Sequence, residues 1–135
     1  MKPEVPTTRR KRKILIVEDE RIVAEDLREI VEELGHEVVG LTSEGEKAIA
    51  LAHEHLPDIV CMDIVIRGEI DGIETAGRIL EELGISSIFM SAYSDNAIVM
   101  RAREVRPVGC LAKPYDSTML RSTLDRAFTR VGRAR

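Results

Sequence analysis

The chain has 135 residues, of which 44% are hydrophobic and 33% are charged, and its formal net charge is −4. This length suits one domain with a single core, and the acidic balance gives no general reason to expect direct contact with nucleic acid. Aromatic residues make up only 3% of the chain, which argues against a stacking platform for single-stranded nucleic acid, and no apolar run approaches the roughly 18 residues of a membrane span.

Short apolar runs alternate along the chain with segments whose apolar positions recur at helical spacing. A basic, proline-containing stretch, 1–12, comes first, and we expect it to be a disordered leader. A folded domain, 13–131, and a frayed tail, 132–135, are expected to follow it. The expected strands are 13–17, 37–41, 58–66, 87–90 and 107–112, and the expected helices lie within 21–34, 43–55, 71–83, 95–105 and 116–131.

Several residues are expected to mark the ends of these helices. Ser43 stands before Glu46 with the spacing of a capping box, in which the serine side chain bonds a free backbone N–H of the first turn. Asp71 and Asp116 are expected to cap the third and fifth helices in a similar way. Gly35 suits the position just after the first helix, because glycine adopts the left-handed backbone conformation at low cost.

The strict alternation of strand and helix predicts the fold class. Short links between alternating elements imply a parallel sheet covered by helices on both faces, and the right-handed crossover rule leaves few topologies. We therefore expect an α/β chain with a flavodoxin-like (βα)5 three-layer sandwich and the strand order 2-1-3-4-5.

Polar side chains stand at the carboxyl ends of four expected strands: Glu18 and Asp19 after the first, Asp63 near the end of the third, Ser91 at the end of the fourth and Lys113 after the fifth. The first and third strands are neighbours in the expected order, so their carboxylates should meet. This edge of a parallel α/β sheet is also where ligands bind. We therefore treat these five residues as one candidate site.

Three carboxylates that close cannot all stay ionised without a cation. A set of ligands that contains only oxygen atoms suits Mg²⁺, which typically binds one or two carboxylates and has waters and phosphate oxygens as its other ligands. Zinc would require His or Cys ligands at this place. The cation and Lys113 would form a positive bed for phosphoryl oxygens, and Ser91 can hydrogen-bond one of them. Asp63 is then the candidate nucleophile, carrying an aspartyl-phosphate.

The remaining cysteine and histidine residues have ordinary interpretations. Cys61 and Cys110 both lie in apolar runs without metal-site spacing, so we expect two reduced core thiols. The three histidines, His36, His53 and His55, are expected at the surface. With no apolar segment after the basic N-terminus to form a signal peptide, we expect a cytoplasmic protein.

The sequence resembles the receiver domain of two-component response regulators over about residues 13–130. The matching motifs are Ile14-Leu15-Ile16-Val17-Glu18-Asp19-Glu20, Met62-Asp63-Ile64, Asp71-Gly72-Ile73-Glu74, Ser91-Ala92 and Leu111-Ala112-Lys113-Pro114. The resemblance implies a signalling protein, and not an enzyme beyond its own phosphorylation and dephosphorylation. It further implies that Asp63 accepts a phosphoryl group from a phosphohistidine on a sensor histidine kinase or phosphotransfer protein.

The resemblance also implies roles for the other site residues. Asp19 and Asp63 would bind Mg²⁺ directly, together with the backbone carbonyl of Val65, while Glu18 would act mainly through a water. Lys113 would pair with the phosphoryl group, and Ser91 would move toward it on activation.

Two features depart from the usual receiver pattern. Cys110 stands where most receivers carry Tyr or Phe, and it cannot swing inward as a ring does, so Tyr93 or the fourth helix is a candidate to carry the signal instead. Tyr93 is equally a candidate shield of the aspartyl-phosphate, or an ordinary loop residue. The loop after Asp63, 66–70, replaces the common Met-Pro sequence.

The expected helix 95–105 is unusually apolar. Core packing explains part of this, and a contact with a partner or with a second copy of the chain in a homodimer, across the fourth helix, fifth strand and fifth helix, is a further possibility.

Three other functions are open to the same sequence. The first is a pseudo-receiver, a binding module of this fold that is not phosphorylated, which the missing aromatic residue favours. The second is a phosphatase with an aspartyl nucleophile, but Val65 stands where such enzymes place an acidic residue. The third is a flavin-binding protein, whose phosphate the run 18–20 would repel. The sequence names no output partner, and we expect either a stand-alone receiver or a piece of a longer protein.

Overall fold

The computed structural model describes residues 11–92 and 95–134, in which five strands alternate with five helices. The strands are β1 (Lys13–Val17), β2 (Glu37–Thr42), β3 (Ile59–Asp63), β4 (Ser87–Ser91) and β5 (Gly109–Ala112). The helices are α1 (Arg21–Glu33), α2 (Gly45–His55), α3 (Gly72–Leu83), α4 (Asn96–Glu104) and α5 (Ser117–Ala134). None of the described helices is both long enough and apolar enough to cross a bilayer.

All neighbouring strands are parallel, and their order in the sheet is β2-β1-β3-β4-β5. The predicted fold class and strand order are therefore confirmed. In the register of the sheet, Val17 lies beside Met62, and Asp63 lies beside Met90. Ser91 lies beside Ala112. This register brings the carboxyl ends of β1, β3, β4 and β5 to a single edge.

The central strands β1, β3 and β4 are apolar except at their ends, because both of their faces are covered by helices. Successive side chains point to opposite faces of a strand, so each strand contributes side chains to two hydrophobic cores. One core contains Leu15, Val17, Val60, Met62 and Phe89 with side chains of α2 and α3, and the other contains Ile14, Ile16, Ile59, Cys61 and Ile88 with side chains of α1 and α5. These two cores hold the sheet in place, and the polar residues lie at the carboxyl ends of its strands.

Most predicted helix ends are confirmed. Asp71 accepts a hydrogen bond from the Glu74 N–H at 2.9 Å, and Asp116 accepts one from the Met119 N–H at 2.8 Å. Gly35 follows α1 with a φ of +93°, in the left-handed region that favours glycine.

The capping box predicted at Ser43 is wrong. The residue at the N-terminal cap of α2 is Glu44, whose side chain makes no capping hydrogen bond within the described chain. The Ser43 carbonyl accepts a hydrogen bond from the Arg67 N–H at 2.9 Å. The helix begins one residue later than the capping-box spacing predicts.

The predicted domain boundaries differ from the structure by a few residues. Residues 1–10 of the expected leader lie outside the described residues, but Arg12 is already buried. At the other end, α5 continues to Ala134, beyond the expected limit at Val131. The fifth strand, in contrast, is shorter than expected and begins at Gly109.

The prediction that His36 lies at the surface is wrong. His36 is buried, and its Nδ1 accepts a hydrogen bond from the Arg12 backbone N–H at 3.1 Å. Its ring meets the Phe128 ring edge-on at 5.0 Å, and the Arg12 guanidinium lies 5.3 Å from the centre of the same ring. Arg12, near the first described residue, is thereby packed against α5, a contact between distant segments that the sequence pattern does not reveal.

The prediction of two core thiols holds for one cysteine only. Cys61 is buried in β3, and burial raises the pKa of its thiol to about 12. Cys110 is exposed. Its strand, β5, is at the edge of the sheet, and partial burial still raises the pKa of its thiol.

Because His36 is buried, we expect the folded chain to lose stability at acidic pH. Burial, and to a lesser degree the Arg12 guanidinium, lower the pKa of His36 below its ordinary value of 6.5, although Asp125 and Asp58 act in the opposite direction. The unfolded chain then takes up a proton at His36 as the pH falls below about 6.5, while the folded chain resists it. We therefore expect the free energy of unfolding to fall from this pH downward, as measured by urea denaturation.

His36→Asn keeps a hydrogen-bond acceptor for the Arg12 N–H but removes the titrating ring, so this variant should show a shallower dependence of stability on pH. His55→Asn, a change of the same kind at a partly exposed histidine, is the matched control and should behave as wild type. Equal pH dependence in His36→Asn and wild type would contradict this account.

Candidate functional site

Three acidic side chains meet at the carboxyl edge of the sheet. Glu18 and Asp19 directly follow β1, and Asp63 ends the neighbouring strand β3. Each offers a carboxylate oxygen, and these oxygens lie within 4.8 Å of one another. Glu18 and Asp63 are buried, at 4% and 8% exposure, so their charges are only weakly screened by solvent.

Backbone hydrogen bonds hold the two residues after β1 in place. The Glu18 N–H donates to the Thr42 carbonyl at 2.9 Å, which extends the pairing of β1 with β2 by one residue. The Asp19 N–H then donates to Glu18 Oε2 at 3.0 Å. The acidic pair is therefore part of the sheet edge and not a freely solvated loop.

Lys113 reaches this acidic cluster from the fifth strand. Its backbone N–H donates to the Ser91 carbonyl at 2.9 Å, which continues the pairing of β4 with β5. Its Nζ lies 2.6 Å from Glu18 Oε1 and 3.1 Å from Asp63 Oδ2. One ammonium group thus bridges two of the three acidic side chains.

The pKa values of these groups follow from burial and from their neighbours. Burial, then the hydrogen bond and charge of Asp63, raise the pKa of Glu18 to about 8, although Lys113 acts in the opposite direction. Burial alone would lower the pKa of Lys113, but its bonds to Glu18 and Asp63 outweigh this effect and raise it. Lys113 therefore stays positively charged, and a cation that displaces the proton of Glu18 would find a third anionic ligand.

The other predicted site residues lie at the same edge. Ser91 ends β4 beside Ala112, and it also lines a cavity of about 380 Å³ between α4 and β5 together with Cys110. Val65 lies in the loop after β3 with an exposed side chain. Tyr93, considered above as a shield or signal carrier, lies outside the described residues.

The loop after Asp63 is held by a close approach to α3. The Gly72 N–H donates to the Ile64 carbonyl at 2.8 Å, and a Cβ atom on Gly72 would overlap the carbonyl oxygen of Asp63. Asp71, which caps α3, also pairs with Arg101 of α4 at 2.9 Å. The position of Asp63 is thus linked through this loop to the start of α3 and to α4.

Two basic residues beside the site were missed by sequence reasoning. Arg21 and Arg67 line a cavity of about 760 Å³ whose wall also includes Glu18 and Asp19. Arg21 could have been found, because it begins α1 two residues after Asp19. The sequence gives no comparable indication for Arg67. Its position depends on a backbone bridge to Glu44 in the β2–α2 connection, which is distant in the chain.

Comparison with known proteins identifies relatives of this chain. Residues 14–125 match the response regulator receiver domain family. The chain is 34% identical over 119 residues to the transcriptional regulatory protein PdtaR of Mycobacterium tuberculosis, an alignment that covers 88% of this chain and 58% of PdtaR. It is 29% identical over 116 residues to the phyllosphere-induced regulator PhyR of Methylorubrum extorquens, covering 85% of this chain and 43% of PhyR. The chain thus spans about half the length of these relatives.

A solved structure shows the same fold. The signal receiver domain of a modulated diguanylate cyclase from Desulfovibrio desulfuricans superposes with a TM-score of 0.88 and 35% sequence identity, and the match covers 93% of this chain and 99% of that domain. The likeness therefore extends over the sheet and the surrounding helices.

The close approach at Gly72 predicts a strong effect of adding one methyl group. We expect Gly72→Ala to lower the free energy of unfolding by about 1–3 kcal/mol, because the methyl group would overlap backbone atoms that cannot move without displacing Asp63. Gly77→Ala, in the same helix, is the matched control, since its Cβ meets only the Val105 side chain. Chemical denaturation of both variants checks this, and equal losses would contradict it.

Proposed function

This chain belongs to the response regulator receiver domain family, and we propose that it is a phospho-accepting receiver of a two-component phosphorelay. In this proposal Asp63 takes a phosphoryl group from a phosphohistidine of a sensor histidine kinase or phosphotransfer protein. The observation that carries the proposal is the meeting of Glu18, Asp19 and Asp63 with the ammonium group of Lys113 at one edge of the sheet.

Asp63 is the acceptor in this proposal because of its central place. It ends the middle strand of the five, and Lys113 lies beside its Oδ2. A carboxylate oxygen of Asp63 attacks phosphorus, the new O–P bond forms, and the P–N bond of the phosphohistidine breaks with its electron pair left on the imidazole. Lys113 then donates to a phosphoryl oxygen and offsets its charge, and Ser91, at the end of the next strand, donates its hydroxyl to another.

The acidic residues fit a magnesium ion. Their donors are oxygens only, they lie within 4.8 Å of one another, and such a set matches the preference of a hard divalent cation. Asp19, Asp63 and the carbonyl of Val65 would hold the ion, with Glu18 acting mainly through a water. When bound, the ion neutralises negative charge on the carboxylates and on the phosphoryl oxygens.

The surface that would respond is formed by α4, β5 and α5. Val99, Met100 and Met119 expose large apolar side chains on α4 and α5, which favours contact with an output partner or a second copy of the chain. Because Cys110 replaces the usual aromatic residue, the proposed route to this surface is α4 itself, which Arg101 ties to Asp71 beside the site. The alternative is a pseudo-receiver that presents the same surface without phosphorylation.

A small phosphodonor tests the proposed acceptor. Incubation with acetyl phosphate and Mg²⁺ should add one phosphoryl group to the wild-type chain, seen by intact-mass spectrometry as a base-labile adduct. The adduct should disappear in Asp63→Asn. Asp58→Asn is a matched control, because Asp58 lies just before the start of β3 and so at the opposite edge of the sheet, and it should still be phosphorylated. An unmodified wild type would favour the pseudo-receiver, and an adduct in Asp63→Asn would refute the assignment.

Magnesium binding tests the proposed ligands without any phosphodonor. We expect Asp19→Asn to weaken Mg²⁺ binding on the order of tenfold or more, because the site loses one of its anionic oxygens. Glu20→Gln, which removes a neighbouring charge outside the cluster, should bind nearly as wild type. Isothermal titration calorimetry measures both, and similar affinities for the two variants would count against the role of Asp19.

A further inference from the structure

Arg21 and Arg67 hold two positive charges beside Glu18 and Asp19, two of the three acidic residues of the site. All four line a cavity of about 760 Å³, to whose wall Glu25 and Glu44 add two further carboxylates. Lys47 is a third cation of this cavity, but its Nζ is paired with Glu44 at 3.0 Å. In contrast, neither arginine makes an ion pair with any residue in the described parts of the chain.

Arg67 is held in this position by its backbone. Its N–H donates to the Ser43 carbonyl at 2.9 Å, and it forms a parallel bridge with Glu44. Gly68 follows with a φ of +99°, which turns the chain away immediately after Arg67. The side chain is exposed, so its guanidinium is available to a ligand although its backbone is fixed.

The charge of the phosphoryl group favours such groups. It carries about −1.5 to −2 charges, and within the described residues the Lys113 ammonium is already paired with Glu18 and Asp63. A bound Mg²⁺ would offset the carboxylates, and further positive charge beside the approach to the site would still attract the donor. The guanidinium group suits this task, because its planar donors match two phosphate oxygens at once.

We propose that Arg67, together with Arg21, captures the phosphoryl group of the donor at the cavity mouth before transfer to Asp63. This inference rests on the proposed function and adds a specificity-determining residue to it. Arg67 acts on binding of the donor, so it determines the donor concentration at which phosphorylation reaches half of its limiting rate. The rate of transfer from a bound donor depends instead on Asp63 and Lys113.

The test compares charge reversals at two exposed arginines. Arg67→Glu and the matched control Arg126→Glu, on the surface of α5, are incubated with increasing acetyl phosphate at saturating Mg²⁺. Formation of the adduct is followed by intact-mass spectrometry. We expect Arg67→Glu to raise the half-saturating donor concentration on the order of tenfold while leaving the limiting rate unchanged.

Two further arms sharpen the result. The effect of Arg67→Glu should shrink as salt is added, because exposed charges are screened. Arg67→Lys should lie between wild type and Arg67→Glu, since it keeps the charge but loses the two-point geometry.

The outcomes separate this inference from the proposed function. If Arg67→Glu and Arg126→Glu give the same half-saturating concentration, the capture role is overturned while phosphorylation of Asp63 stands. A lower limiting rate with unchanged half-saturation also overturns it, because Arg67 would then act after binding. A wild-type chain without any adduct overturns the proposed function itself.

Discussion

The contact of Lys113 with Glu18 and Asp63 is the interaction on which the functional edge depends. It joins the residue after β5 to the residue after β1 and to the last residue of β3, at 2.6 and 3.1 Å. Removing two carboxylates from water is costly unless they are paired, and one ammonium group offsets only part of that cost. The site therefore retains an acidic excess, and this excess explains its fit to a divalent cation.

The sheet makes this contact geometrically available. β1 and β3 are neighbours, and both are buried on two faces by the helices, so their ends are held as rigidly as the core itself. The pairing continues one residue beyond the strands at Glu18 and at Lys113. Backbone hydrogen bonds thus fix the points at which Glu18 and Lys113 leave the sheet edge.

The helices that cover one face of the sheet pack against it unequally. α2 and α3 contribute several fully buried side chains to the core, whereas Ala102 is the only buried residue of α4. Beneath α4 lies the cavity lined by Ser91 and Cys110, at the position where an aromatic side chain is usual in this family. A helix with little buried surface can shift at low cost, and the Asp71–Arg101 ion pair links it to the loop after Asp63.

The sequence by itself determined the alternation of strands and helices and the fact that Glu18, Asp19, Asp63, Ser91 and Lys113 end or follow strands. It could do so because apolar periodicity and position at a strand end are local properties of the chain. The strand order followed from general rules for parallel sheets. Only the tertiary structure decided that His36 and Arg12 are buried against Phe128, that Cys110 is exposed and that Ser43 does not cap α2. It also placed Arg67 beside Glu18 and Asp19. Each of these features depends on contacts between segments far apart in the chain. The local sequence pattern does not show which distant segment will cover a given residue.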